Sequence, residues 1–215
     1  YSGLIPAGAG KSHQSLRDIS LLASLPNISL FQPCNDFETK KILNFCLNKE
    51  KNNCSIRLSI GPPPIELKNY TNNISFTKGQ GNILTKGNDA IVFAYGQVML
   101  NESLKAYEIL KKNKINITVI NFSTLNYFNL KWMKKVLNMS KNIFVIDDHN
   151  ISGGLGDLMN SFIQKNKIGH FNFHKIGVEK FPACGTTEEV LTFHKLDHLS
   201  ISNFIMRNIN ENKNK

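Results

Sequence analysis

Ser12, His13 and Gln14 stand in succession after Gly10-Lys11 and just before an apolar-periodic run. A hydroxyl, an imidazole and a carboxamide on one loop can grip hydroxyl and carbonyl oxygens. The imidazole can also take or give a proton near neutral pH, and a helix start behind such a loop favours anions. His13 is the candidate catalytic residue, with a loop histidine that merely bonds backbone as the alternative. Ser12 and Gln14 either flank it at a substrate or cap the helix that follows. Arg57, inside the run Ser55-Ile56-Arg57-Leu58-Ser59-Ile60, offers a planar, permanently charged fork. It serves either a substrate anion or a carboxylate within the protein. Arg17 and Asp18 read as a structural ion pair.

The other polar clusters read differently. Asp147-Asp148-His149 leaves an apolar run and enters Gly153-Gly154-Leu155-Gly156. Successive strand residues point to opposite faces, so these three cannot converge on one ion. The glycines read as a turn that permits close backbone packing, and their spacing is not that of a dinucleotide fingerprint. His170 and His174 share one face of a strand with no third ligand, which makes them surface histidines. Cys34, Cys46, Cys54 and Cys184 form no CxxC pair and read as free thiols of a reducing compartment. No metal site is expected.

Net charge is +10, yet only Arg17, Arg57 and Arg207 are arginine. Base and phosphate readout leans on arginine, so the lysine excess reads as a solvated surface and nucleic acid is not an expected partner. No apolar stretch approaches the roughly 20 residues a bilayer requires and no signal peptide is visible. The expected location is therefore the cytoplasm, without a membrane partner.

The elements that must position these residues alternate between short apolar runs and helical periodicities. Residues 15–25 read as a helix, 28–32 as a strand, 36–47 as a helix capped by Asn35, and 55–60 as a strand stopped by Gly61-Pro62-Pro63-Pro64. Residues 65–81 are polar and read as a connector. A complete pattern follows: strands at 82–85, 90–95, 115–122, 142–146 and 171–178, with helices at 98–112, 130–139, 154–164, 187–195 and 200–207. The single tryptophan, Trp132, falls on a lysine-rich helix edge, and the segment from 208 reads as a frayed polar tail. Such alternation predicts an α/β fold with a mostly parallel sheet covered on both faces, binding ligands at the carboxyl ends of its strands.

Five separated segments carry a family resemblance. GKSHQSLRDISLLASLPN resembles the histidine-bearing loop and following helix of transketolase-type, thiamine-diphosphate-dependent enzymes, including deoxyxylulose-phosphate synthase. SIRLSIGPPP is similar to the strand that ends their pyrimidine-binding domain. DAIVFAYGQVMLNESLKA, VIDDHNISGGLGD and VEKFPACGTTEEVL are similar, in family order, to pieces of their C-terminal domain. The resemblance implies four stretches. Residues 1–66 would be the later part of a parallel-sheet pyrimidine-binding domain, 67–81 a linker, 82–208 a three-layer α/β C-terminal domain and 209–215 a polar tail.

The resemblance also implies a site. His13 would meet a hydroxyl or carbonyl oxygen of a ketose or sugar phosphate, with Ser12, Gln14 and Arg57 as substrate contacts. Two departures weaken phosphate recognition: the family's second strand arginine is absent after Arg57, and Ala9 stands where the family has an acid. Thiamine diphosphate and a divalent cation such as Mg2+ would be held mainly by segments upstream of Tyr1 or by another subunit. The implied activity is two-carbon ketol transfer or keto acid–aldehyde condensation, and the chain is expected to be inactive without the diphosphate-binding domain. The implied assembly is a homodimer or heterotetramer. Two rival readings are a beta-type component of a 2-oxo acid dehydrogenase and a non-catalytic interaction module.

Overall fold

The computed structural model describes residues 1–61 and 64–213. Its first unit is small. A single 3-10 turn at Gly10–Ser12 precedes helix α1 (Asp18–Ala23), strand β1 (Ile28–Phe31), helix α2 (Asp36–Asn48) and strand β2 (Asn53–Ile56). β1 and β2 pair in parallel with Ile28 opposite Asn53. α2 starts where predicted, because the Asn35 side chain accepts the Glu38 N–H at 2.9 Å. Neighbouring β1 residues alternate faces: Leu30 joins the apolar cluster that contains Ile19 of α1, whereas Phe31 meets Phe45 of α2 and Phe76 edge-on.

The second unit is a five-stranded sheet ordered β3-β5-β4-β6-β7. β4 (Ala90–Ala94), β5 (Ile117–Asn121), β6 (Asn142–Asn150) and β7 (Asn172–Val178) run parallel, and β3 (Asn82–Ile83) pairs antiparallel at the edge. The core of β4 is apolar on both faces, as a central parallel strand requires. Ile91, Phe93 and Tyr95 pack with α5 (Leu130–Leu137) and α6 (Leu155–Lys165). Ala90, Val92 and Ala94 pack with α4 (Gly96–Lys112), α7 (Thr187–Phe193) and α8 (His198–Lys213). This is the three-layer α/β arrangement that the alternation predicts.

Several expectations are corrected. The helix predicted over residues 15–25 starts only at Asp18, because Ser15 is drawn into a bridge with Ser2. β2 ends at Ile56, earlier than predicted; Pro62 and Pro63, part of its predicted stop, lie outside the described residues. The polar segment after residue 64 opens with helix α3 (Ile65–Thr71), which packs on α4 and buries Leu67 fully, and Ile74 beyond it is buried too. β6 continues four residues past its predicted end, carrying Asp147, Asp148 and His149 into the interior. The expected frayed tail is helical to Lys213, with Ile209 only 1% exposed; Asn214 and Lys215 lie outside the described residues. His170 precedes β7, and half-buried His174 stacks on Phe144 at 4.8 Å. Trp132 is half-buried against Phe122, as its position suggests.

Candidate functional site

The chain direction reverses between β5 and β6 on either side of β4, so a ligand crevice would fall beyond the carboxyl ends of β4 and β6. Here that place is filled by protein. Asp147 accepts Tyr95 O–H at 2.9 Å together with the Leu155 and Gly156 N–H groups at 2.7 and 2.9 Å, capping α6 from the neighbouring strand. A side chain at Gly154 would collide with that carboxylate, and one at Gly156 would crowd Lys175 and then Asp147. Burial pushes Asp147 up to about 6 against these bonds. Asp148 accepts Leu4 N–H at 2.9 Å, and Gly3, at φ +76°, sits where any Cβ would overlap the Asp148 carboxylate. His149 is buried, its Nδ1 held 2.7 Å from Asn150 O, and burial lowers its pKa. The acidic-His-Gly turn is thus a seam that binds the opening segment to the second unit.

Arg57 closes the seam from the other side. Its Nε and Nη2 donate to Asp18 Oδ2 and Oδ1 at 2.7 and 3.0 Å. The same guanidinium donates to Gln32 Oε1, to Ser15 O at 3.2 Å and to Asp148 O at 3.3 Å. It is 5% exposed. Of the two readings open for Arg57, the geometry matches the carboxylate pairing: an arginine just past β2, facing Asp18 and three further oxygen acceptors, has its donors engaged inside the protein. The expected Arg17–Asp18 pairing is corrected, since Asp18 serves Arg57 and Arg17 lies exposed.

Above this buried tie lies the predicted loop. The 3-10 turn Gly10–Ser12 ends on His13, whose N–H donates to Gly10 O at 3.0 Å. The His13 side chain is exposed, tilted against the Tyr1 ring with centroids 5.4 Å apart. Ser12 Oγ lies 2.9 Å from His13 Nδ1 and 3.2 Å from Ala9 O. With the hydroxyl donating to Ala9, its oxygen accepts Nδ1–H, and the lone pair of the neutral ring falls on Nε2. Ser12 and His13 are brought together as an outward-facing pair. Gln14 turns inward, against the expected substrate role. Its Nε2 donates to Leu4 O at 3.0 Å and to Ala183 O at 3.1 Å, fastening the loop to the second unit.

Sequence reasoning left Arg57 between two readings and missed Glu38, fully buried in the first turn of α2. It accepts Cys34 N–H at 2.8 Å and the amide of Asn121, the last residue of β5, at 2.9 Å. Burial raises its pKa. A first-turn glutamate carries no sequence mark that separates this from ordinary capping.

Among the described residues no group of three His, Cys, Asp or Glu could hold a metal ion. No such group lies around His13 among the described residues. No helix among the described residues is long and apolar enough to cross a membrane.

Comparison with known proteins places this geometry. The family model for the transketolase pyrimidine binding domain matches residues 2–61, and that for the transketolase C-terminal domain matches residues 79–201. A transketolase C-terminal section from Methanocaldococcus jannaschii is 29% identical over 96% of this chain and 63% of its own length. Human transketolase is 30% identical over 90% of this chain and 30% of its own length. The 1-deoxy-D-xylulose-5-phosphate synthase of Halothermothrix orenii is 24% identical over 98% of this chain and 32% of its own length. Among solved structures, a split-gene transketolase described as an inactive beta4 tetramer superposes with TM-score 0.78 at 22% identity, over 93% of this chain and 63% of that one. The chain thus spans under two thirds of the relatives it matches. It belongs to the transketolase family of thiamine-diphosphate-dependent enzymes.

Proposed function

We propose that this chain supplies the substrate-facing edge of a transketolase-like enzyme acting on ketoses or sugar phosphates, by two-carbon ketol transfer or keto acid–aldehyde condensation. The observation that carries the reading is His13: an exposed imidazole on a rigidly braced loop, with its free lone pair on Nε2. From there the ring can accept a proton from a substrate hydroxyl or donate one to a developing alkoxide. Ser12 fixes the ring, and Gln14 and Arg57 hold the loop from beneath, which makes them positioning residues.

Thiamine diphosphate and a divalent cation such as Mg2+ are assigned to other polypeptide. Three features support that: the lack of a suitable donor set here, the partial span against relatives, and β2, whose outer edge pairs with no strand among the described residues. The chain would act as one section of a dimer or heterotetramer in the cytoplasm. The polar Ser12-His13 pair favours sugar chemistry over the 2-oxo acid dehydrogenase alternative.

The test is a ketol-transfer assay on the chain alone and on the chain mixed with a polypeptide carrying the remaining enzyme section. Activity is expected only in the mixture, and His13→Ala there should lose about 100-fold or more. Turnover by the chain alone, or full activity in the His13 variant, overturns the reading.

A further inference from the structure

A groove lined by residues of the second unit lies away from His13. It encloses about 630 Å³ between the end of β7, the end of α7 and the middle of α8. Lys175, Lys180, Lys195 and Arg207 line it, against a single lining carboxylate, Glu179. Two of these cations lie over aromatic faces, Lys180 over Phe193 at 5.2 Å and Arg207 over Phe204 at 5.6 Å. Lys175 is tied to Asp157, and Arg207 makes only a loose, exposed contact with Glu211 at 3.8 Å. The Lys195 ammonium has no partner among the described residues.

His194 adds a second, independent observation. It lines the groove yet is only 8% exposed. Its Nε2 accepts Ala183 N–H at 3.1 Å, so Nε2 carries no proton. Burial and then the Lys180 ammonium hold its pKa below the usual value, keeping the ring neutral. The remaining ring proton therefore sits on Nδ1, and that nitrogen has no acceptor among the described residues. A buried donor without a partner costs free energy unless something accepts it.

We propose that this groove is a binding site for a small phosphorylated organic anion, with His194 Nδ1–H, Lys195 and Arg207 as its donors and Phe193 as an exposed platform for a planar ring. Cations set around apolar faces, with one unmet neutral donor, suit phosphate oxygens attached to an organic body. The site stands apart from the proposed reaction and does not depend on it.

Calorimetric titration of the full chain with inorganic pyrophosphate and, separately, with ATP tests the assignment. Saturable one-to-one binding with Kd of about 1 mM or below is expected, and tighter binding of ATP assigns part of the affinity to the ring platform. Equal affinities assign it to phosphate alone and remove Phe193 from the site. The double variant Lys195→Glu/Arg207→Glu should weaken binding about tenfold or more, whereas Arg17→Glu, in the adjoining groove, should leave it within about twofold. A histidine-selective proton–nitrogen spectrum should show the His194 Nδ1 signal move on saturation. Absence of saturation, binding retained in the double variant, or binding lost in the Arg17 variant overturns the proposal.

Discussion

Arg57 and Asp18 form a two-point ion pair, Nε to Oδ2 at 2.7 Å and Nη2 to Oδ1 at 3.0 Å, between the end of the first unit's sheet and the start of α1. The pair is nearly dry on the arginine side, with side-chain exposures of 3% and 23%. Removing one partner leaves a buried charge alone. Arg57→Met should therefore destabilise the chain by about 3 kcal/mol, measured by urea denaturation, and Asp18→Asn by less. A loss below about 0.5 kcal/mol for Arg57→Met would mean that the guanidinium is not a structural hub.

His13 should behave in the opposite way. Its side chain is exposed, beside Ser12 and Tyr1, so His13→Ala should leave the unfolding free energy within about 0.5 kcal/mol of the parent. Unchanged stability beside a large activity loss in the assembled enzyme separates a reacting group from a brace. Ser12→Ala should cost less activity than His13→Ala, because the imidazole remains and only the hydroxyl beside its Nδ1 is lost.

Gly3 is required by space as well as by backbone. Its φ of +76° and the Asp148 carboxylate in the place of a Cβ leave no room for alanine. Gly3→Ala should cost about 2 kcal/mol or more and raise hydrogen exchange at Leu4, whose N–H bonds Asp148. Normal protection at Leu4 in that variant would contradict the packing described.

Stability should peak on the acid side of neutrality. Asp147 is raised by burial from 3.8 to about 6, and Glu38 and Asp148 move the same way. The native state then holds more protons than the unfolded chain, so stability falls as pH rises between about 4 and 6. Glu50 works against this. Burial pulls its pKa up, but hydrogen bonds from Lys78 and others prevail and lower it from 4.5 to about 2. Its contribution is complete above 4.5 and fades as pH drops toward 2. Unfolding free energies measured from pH 4 to 8 should fall most steeply between about 4.5 and 6, and less steeply in Asp147→Asn, whereas a monotonic rise to pH 8 would contradict the buried acids.

Ile209 offers a test of the last helix. It is 1% exposed within the cluster of Ile201 and Ile205. Ile209→Ala should cost about 2–4 kcal/mol, and a neutral result would restore the frayed tail expected from its polar neighbours.

The periodic apolar runs made most of the fold legible. β4, α4, β5 and α6 each bury an uninterrupted face or strand, which leaves a signal in residue spacing alone. What stayed hidden depends on contacts between distant segments. Asp147 and Asp148 look like loop residues because charge beside glycine usually marks a turn, yet β6 continues through them, with Tyr95 O–H and the Leu155 and Gly156 N–H groups bonded to Asp147 and the Leu4 N–H bonded to Asp148 Oδ1. Helix α3 was masked by its Lys and Asn residues, since Leu67 and Thr71 are the buried side chains among those described on it. At the candidate site, Ser12 and His13 were legible as a loop ahead of a helix. The inward turn of Gln14 was not, because its acceptor Ala183 lies 169 positions away.

The bond from Leu4 to Asp148 spans 144 positions, and its consequence falls on synthesis. While a ribosome is still making the middle of the chain, Asp148 is not yet there for Leu4 to bond. Docking of the His13 loop onto the second unit therefore waits for the sixth strand, a late, chain-length-gated event.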